Sequence, residues 1–258
     1  MITSRKNPKI QELRGLLAKK SLREQSGLCV LEGTRLLEEA LLAAWQPLYG
    51  FYVESHQRRN KDLLHQITMQ GAIMEEVPED LLAYMADTTN PQGMIAVFRK
   101  ETIPLPSVPD FVLILDAIRD PGNMGTILRT AAAASVDIVL LTDDCVDPFS
   151  PKVLRSGMGA QFHLPLHMDT ISGILSYSQQ HKLSIHISDA SAGTSCWQQD
   201  FRVPLCMVIS NEANGTSSDF LTAETTLTKI PMPGGFESLN AAVAAAILLF
   251  EVVRQRQS

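Results

Sequence analysis

The period of the hydrophobic positions changes along this chain, and the changes mark out its elements. Ile10, Leu13, Leu16 and Leu17 recur at helical spacing and predict an amphipathic helix with basic residues on its other face. Leu28–Leu31 reads as a strand, followed by Glu-Gly-Thr-Arg and a leucine-rich helix from Arg35 to Ala44. Phe51–Val53 reads as a strand, Asp62–Gln70 as a helix and Gly93–Phe98 as a closing strand. The next apolar run, Phe111–Asp116, is continuous, as a strand covered on both faces should be. A Pro/Gly turn, an alanine-rich helix from about Thr126 to Ala134, a strand over Ile138–Thr142 and a helix over Pro151–Met158 come after it. Strands near Leu183–Ser188, Leu205–Ser210 and Leu227–Pro231 alternate with helical stretches, and a long last helix runs from Ser238 to about Arg254.

This order predicts two α/β domains. The first is small; the second has a mostly parallel sheet with helices on both faces. Residues 102–110 carry three prolines, which deny the backbone its donors and favour an extended linker. The expected division is therefore residues 1–101, a linker over 102–110, and residues 111–258.

Composition narrows the class. No stretch approaches the roughly 18 to 20 uninterrupted apolar residues of a membrane span. The longest apolar run, Ala241–Phe250, is alanine-rich and reads as a packed helix. The first residues lack the apolar core of a signal peptide, so a cytoplasmic location is expected. Cys29, Cys145, Cys196 and Cys206 are scattered without a Cys-x-x-Cys pair, which points to buried small residues rather than a disulfide framework. His163 and His167 flank Leu-Pro-Leu, and the proline breaks the helical geometry a metal-binding pair would need. No metal is expected. The net charge of −6 conceals an asymmetry: residues 1–23 carry seven cations against Glu12 alone, leaving the rest strongly acidic. A basic arm on an acidic body is a plausible RNA-contacting device, and equally a solvated helix face.

Ligands of open α/β sheets bind beyond the carboxyl ends of the strands. Three segments at such ends are unusual. Asp120-Pro-Gly-Asn-Met-Gly-Thr126 is followed by Arg129, and its glycines admit a close ligand approach while the following helix offers free N–H groups. Ser210–Ser217 presents Asn211 and Glu212, with Asn214 and Gly215 as turn formers. Pro231–Asn240 combines a Gly-Gly pair with Glu237, and Ser238 or Asn240 suits the start of the last helix. Each alone is a capped loop or tight turn. Three polar, glycine-bearing loops ending strands of one sheet favour a ligand site. Neither the dinucleotide fingerprint nor the P-loop is present.

These segments resemble, in order and spacing, the three motifs of the SpoU family of the SPOUT superfamily. Residues 116–133 resemble its first motif, with Asn123, Gly125 and Arg129 at the characteristic positions. Residues 207–217 resemble the second, centred on Asn211-Glu212 and Gly215. Residues 230–251 resemble the third, where Ser238-Leu239-Asn240 is the signature. Ser150–Arg155, the N-terminal Ser-Arg-Lys-Asn-Pro and Glu32-Gly33 fit as well, so the likeness spans nearly the whole chain. Two positions depart from the family pattern. Ser210 stands where glycine is usual and adds a β-carbon beside the expected adenosyl site; Ser135 replaces the glycine that turns the chain after the first motif's helix.

The resemblance implies an S-adenosylmethionine-dependent RNA methyltransferase acting on a ribose 2′-hydroxyl, with ribosomal RNA expected ahead of transfer RNA. It implies a homodimer, a catalytic domain closed by a deep trefoil knot, and an N-terminal substrate-binding domain of the ribosomal L30e type. By the same resemblance Arg129 is the essential catalytic residue, with Asn123, Glu212, Ser238 and Asn240 shaping the site. Ser210, Asn211, Gly215, Ile230, Met232, Ser238 and Leu239 would hold the cofactor. Arg5, Lys6, Lys9, Glu32 and Arg35 are the candidates for RNA contact. Two other readings remain at this point: a non-catalytic RNA-binding protein on the same scaffold, and a nucleotide-dependent oxidoreductase, which lacks its fingerprint.

Overall fold

In a computed structural model, which describes residues 1–57, 60–211, 215–222 and 224–257, the first helix begins at its cap. The Asn7 side chain accepts the Lys9 N–H and Pro8 takes the first helical position of α1 (Pro8–Ala18). Its Ile10, Leu13 and Leu16 are buried, as their spacing predicts. There follow α2 (Lys20–Ser26), β1 (Leu28–Glu32), α3 (Thr34–Leu42), β2 (Pro47–Tyr52), α4 (Glu54–Gln57), α5 (Lys61–Met69), β3 (Ile73–Glu76), α6 (Glu79–Met85) and β4 (Met94–Arg99). The four strands form a sheet in the order β1-β4-β2-β3, antiparallel except for the β2–β3 pair.

Alternation along these strands feeds two cores. Cys29 and Leu31 of β1, with Ala96 and Phe98 of β4, pack with Leu37, Trp45 and Ile67 on one face. Val30, Ile95 and Val97 point the other way, onto Ile10, Leu13, Leu81 and Leu82. A segment distant in sequence completes the first face: Leu154 of α8 (Pro151–Gly157) and Phe162 join its core, with the Phe162 ring 4.8 Å from that of Trp45. Residues 147–162 thus belong to the same compact unit as residues 1–102, and residues 103–146 with 163–258 form the other. Arg23 anchors the segment. It is 4% exposed, pairs with Asp147 at 2.6 Å, and donates to the carbonyls of Leu16 and Leu17.

The second unit holds β5 (Phe111–Asp116), α7 (Pro121–Ala133), β6 (Ile138–Leu141), β7 (Leu166–Met168), α9 (Ile171–Gln180), β8 (Ser184–Ser188), β9 (Leu205–Ser210), β10 (Thr225–Thr228) and α10 (Ala241–Arg256). Its six strands are all parallel, in the order β10-β8-β9-β5-β6-β7. Val112, Ile114, Cys206 and Val208 pack against Ile174 of α9 on one face, while α7 and α10 pack together and α10 lies against β9. All four cysteines are buried, and burial pushes the Cys29 and Cys206 thiols up to about 12, so neither is a thiolate at neutral pH.

The strand expected at Phe51–Val53 begins four residues earlier, at Pro47, and three boundaries of the second unit differ from the sequence reading by several residues. Helix α7 starts at Pro121, so the supposed Pro/Gly turn is its first turn: Asp120 accepts the Asn123 N–H at 2.8 Å and proline suits the first position. The last helix starts at Ala241, because Asn240 rather than Ser238 caps it, accepting the N–H groups of Ala242 and Val243. β10 lies at Thr225–Thr228, ahead of the predicted Leu227–Pro231. Ser135 is left-handed at φ 56°, the conformation the expected glycine would supply more cheaply.

Candidate active site

The strand order reverses between β5 and β9: from β5 the chain adds β6 and β7 outward on one side, then returns to build β8, β9 and β10 on the other. A crevice at the carboxyl ends is the expected result. At the carboxyl ends, on the β9 side of that point, the segments after β8, β9 and β10 and the first turns of α10 enclose a cavity of about 350 Å³.

The loop after β9 is held by a buried carboxylate. Asp116, the last residue of β5 and 1% exposed, accepts both the Ser217 N–H (2.7 Å) and the Ser217 hydroxyl (2.9 Å). Across the loop the Thr216 hydroxyl donates to Ser210 Oγ at 3.0 Å, and Gly215, at φ 68°, donates its N–H to the Asn211 carbonyl. The β-carbon that Ser210 introduces therefore carries a hydroxyl used to close the loop. Asn211 donates from Nδ2 to the carbonyl of Ala117 at 3.2 Å, tying the loop to the end of β5 a second time. Glu212 lies outside the described residues.

The third segment meets α7 through a side-chain pair. Asn240 caps α10 with Oδ1 and donates from Nδ2 to Asn123 Oδ1 at 2.9 Å. The N-terminal turns of α7 and α10 are thus joined, and Arg129 lies further along α7, exposed to solvent.

Ser210, Asn211, Gly215, Ile230, Met232, Ser238 and Leu239 all line the one cavity. Asn123 and Asn240 meet beside it, whereas Arg129 is not among the residues that line it. Sequence reasoning missed Asp189 and Thr216, which also line it, and the bracing carboxylate of Asp116. Asp189 directly follows a strand of the parallel sheet, a signal that could have found it. The lining combines apolar Ile209, Ile230, Met232, Leu239 and Ala244 with polar Asp189, Asn211, Glu237 and Ser238. Size, apolar side chains for a purine and polar groups for a charged tail fit S-adenosylmethionine.

The RNA-contact candidates are placed unequally. Arg5, Lys6 and Arg35 are exposed, while Lys9 pairs with Glu75 at 2.7 Å. Glu32 is a correction. It is buried, and its carboxylate accepts the Asp87 N–H at 2.8 Å and the Thr88 hydroxyl, so it braces a loop inside the domain instead of facing solvent. Asp87 in turn pairs with Arg155 at 2.7 Å.

Comparison with known proteins extends this geometry. The chain is 36% identical, over 99% of its length and 94% of the relative's, to an uncharacterized tRNA/rRNA methyltransferase of Synechocystis. It is 30% identical to the 23S rRNA (guanosine(2553)-2′-O)-methyltransferase RlmP of Bacillus subtilis, covering 97% of this chain and 98% of that one. The crystal structure of an AdoMet-bound rRNA methyltransferase from Sinorhizobium meliloti superposes with a TM-score of 0.87 at 27% identity, covering 98% and 97% of the two chains. Residues 7–96 match the MRM3-like substrate binding domain. Residues 110–250 match the SpoU rRNA Methylase family, and the chain belongs to that family.

Proposed function

We propose that the protein transfers a methyl group from S-adenosylmethionine to a ribose 2′-hydroxyl of ribosomal RNA. The observation that carries this reading is the convergence of the segments after β8, β9 and β10 on one nucleoside-sized cavity, with the Asn123–Asn240 pair beside it. The names of the relatives supply the substrate class. S-adenosylmethionine, when bound, supplies an activated methyl group on a sulfonium. The chain's own task is then positioning: an aligned acceptor removes most of the entropic cost of a bimolecular step. Asp116, Thr216 and Asn211 fix the β9 loop that forms one wall. Arg129 is given the role of holding an RNA phosphate and stabilising charge that develops on the attacking oxygen.

The same reading includes a homodimer. Helix α10 leaves Val243 and Phe250, one heptad apart, each 47% exposed on one face, an apolar stripe suited to a second copy. A monomeric wild-type protein in light scattering at micromolar concentration would remove it. The family's knot, with the segment before α10 threaded past the β9 loop, belongs to the proposal too, and a crystal structure of the cofactor complex checks it.

The test is transfer of labelled methyl to unmodified 23S rRNA, with tRNA transcripts as a second arm. Label should appear as 2′-O-methylribose in the rRNA, and Arg129→Ala should lower transfer by roughly 10²–10³-fold while calorimetric cofactor binding stays near wild type. An Arg129→Ala protein that folds and methylates normally would overturn the assignment.

A further inference from the structure

We propose that Arg5 and Arg14, stacked on the ring of Tyr84, form a clamp for neighbouring phosphates of an RNA strand; this rests on the RNA-substrate reading above. The seven cations of residues 1–23 are alike in sequence and unlike in structure. Lys9 is paired with Glu75 at 2.7 Å, Lys20 with Glu24 at 3.6 Å, and Arg23 is buried against Asp147. Arg5 and Arg14 instead meet an aromatic face: their guanidinium carbons lie 4.5 and 4.0 Å from the centroid of the Tyr84 ring. Among the described residues neither reaches a carboxylate within ion-pair distance, and both are exposed.

The chemistry of the two arrangements differs. A carboxylate partner consumes N–H donors and neutralises the charge. An aromatic ring binds guanidinium through its face and leaves the whole N–H edge open to an oxyanion, for which the planar fork suits phosphate in bidentate fashion. Tyr84 thus orients two cations without spending a donor.

The ring is a fixed platform. Tyr84 is half-buried and packs against the core that contains Ile10, Leu13, Leu81 and Leu82. Arg5 is positioned as well, because the Gln11 side chain donates to its carbonyl at 2.6 Å and the Asn7 N–H closes a turn onto Ser4. Pre-organised side chains lose less freedom on binding. Two exposed guanidiniums on one ring fit an extended polyanion, whose successive phosphates they can hold together. Contacts of this kind hold a strand in register and carry no sequence information.

The test uses the full chain and a fluorescein-labelled oligouridylate, since a backbone clamp needs no particular base. Anisotropy gives affinity as a function of salt. For Arg5→Ala/Arg14→Ala the slope of log K against log salt should shrink by roughly 1.4, the value for two phosphates of a single strand, with at least about tenfold weaker binding at low salt. Tyr84→Leu keeps both charges and removes their platform, so binding should weaken several-fold at nearly unchanged slope. Lys20→Ala, already paired, should change neither.

Far-UV circular dichroism and a denaturant melt of the first unit report whether each variant is folded, and none should alter them; S-adenosylmethionine binding by the second unit should be unchanged as well. A double variant that binds cofactor normally and keeps the wild-type slope and affinity overturns the clamp. A shrunken slope in a protein that transfers no methyl to any RNA keeps the clamp and removes the enzymatic reading instead.

Discussion

The two units of this chain satisfy a buried carboxylate in the same way and differ in how far they bury an ion pair. The unit built on the mixed four-stranded sheet buries both partners of a pair, Arg23 and Asp147, besides Glu32, whose carboxylate accepts an N–H and a hydroxyl of the 87–88 loop. The unit built on the six parallel strands buries Asp116 under a hydroxyl and an N–H and His186 beside an aromatic ring, and its buried Glu251 pairs with an Arg254 that stays exposed. Buried ion pairs contribute little net stability but cost a great deal when half of the pair is removed. Carboxylates satisfied by backbone donors instead fix the position of a loop. The first unit therefore places its fully buried ion pair between distant segments of chain, and the second places a buried carboxylate under the loop that walls its cavity.

The largest effect that tests this contrast is expected at Arg23. Arg23→Ala leaves Asp147 buried without its partner and also frees two carbonyls, at an expected cost of about 3–5 kcal/mol in denaturant unfolding. Arg23→Met with Asp147→Leu should recover much of the loss, because no unpaired charge is left. S-adenosylmethionine binding by the second unit should survive in conditions where the first is still folded. A cost below about 1 kcal/mol for Arg23→Ala would show that the pair does not hold residues 147–162 in place.

The same contrast explains what could be read from sequence. The parallel strands are covered on both faces, so β5, β6 and β9 stand out as unbroken apolar runs, and β8 was found almost to the residue. In the mixed sheet, β3 is an edge strand whose Ile73 is 59% exposed and whose Glu75 and Glu76 are polar, so its composition carries no strand signal. The seven-residue α6 was missed with it, being too short for a periodic pattern to register. Of the site, the polar loops after the strands were legible because capping and glycine chemistry is local. Asp116 closing the β9 loop was not, because the partners lie 101 residues apart in the chain. Glu32 was misplaced for a related reason: a carboxylate in a solvent-facing motif and one folded inward look alike until tertiary contacts choose between them.

A second, smaller effect separates two roles of one residue in the parallel unit. Asn240 caps α10 with its oxygen and reaches Asn123 with its nitrogen. Asn240→Asp keeps the cap, with a charge that suits a helix N-terminus, and loses the donor to Asn123. Asn240→Ala loses both. The alanine variant should be less stable by about 1 kcal/mol and the aspartate variant close to wild type in thermal melts, while both should transfer methyl poorly. Normal transfer by Asn240→Asp would mean that the Asn123 pair is dispensable and that capping alone accounts for the residue.

The smallest expected effect is a pH dependence confined to the parallel unit. His186 on β8 is 5% exposed, its ring edge-on to Phe201 at 5.1 Å, and among the described residues its buried Nδ1 has no hydrogen-bond partner. Burial, with no neighbouring charge as a contributing cause, holds its pKa below the ordinary 6.5. The sign follows from linkage: the unfolded chain takes up the proton first, so stability present above pH 6.5 is lost as the pH falls toward the depressed value in the folded protein. Cofactor-dependent melting, followed between neutral and mildly acidic pH, should therefore shift downward in the wild type. In His186→Phe, which fills the same space without a titrating group, that part of the shift should disappear. The first unit's unfolding offers the internal control: an equal acid shift there, persisting in His186→Phe, would place the sensitivity among its buried charge pairs and reverse the contrast between the two units.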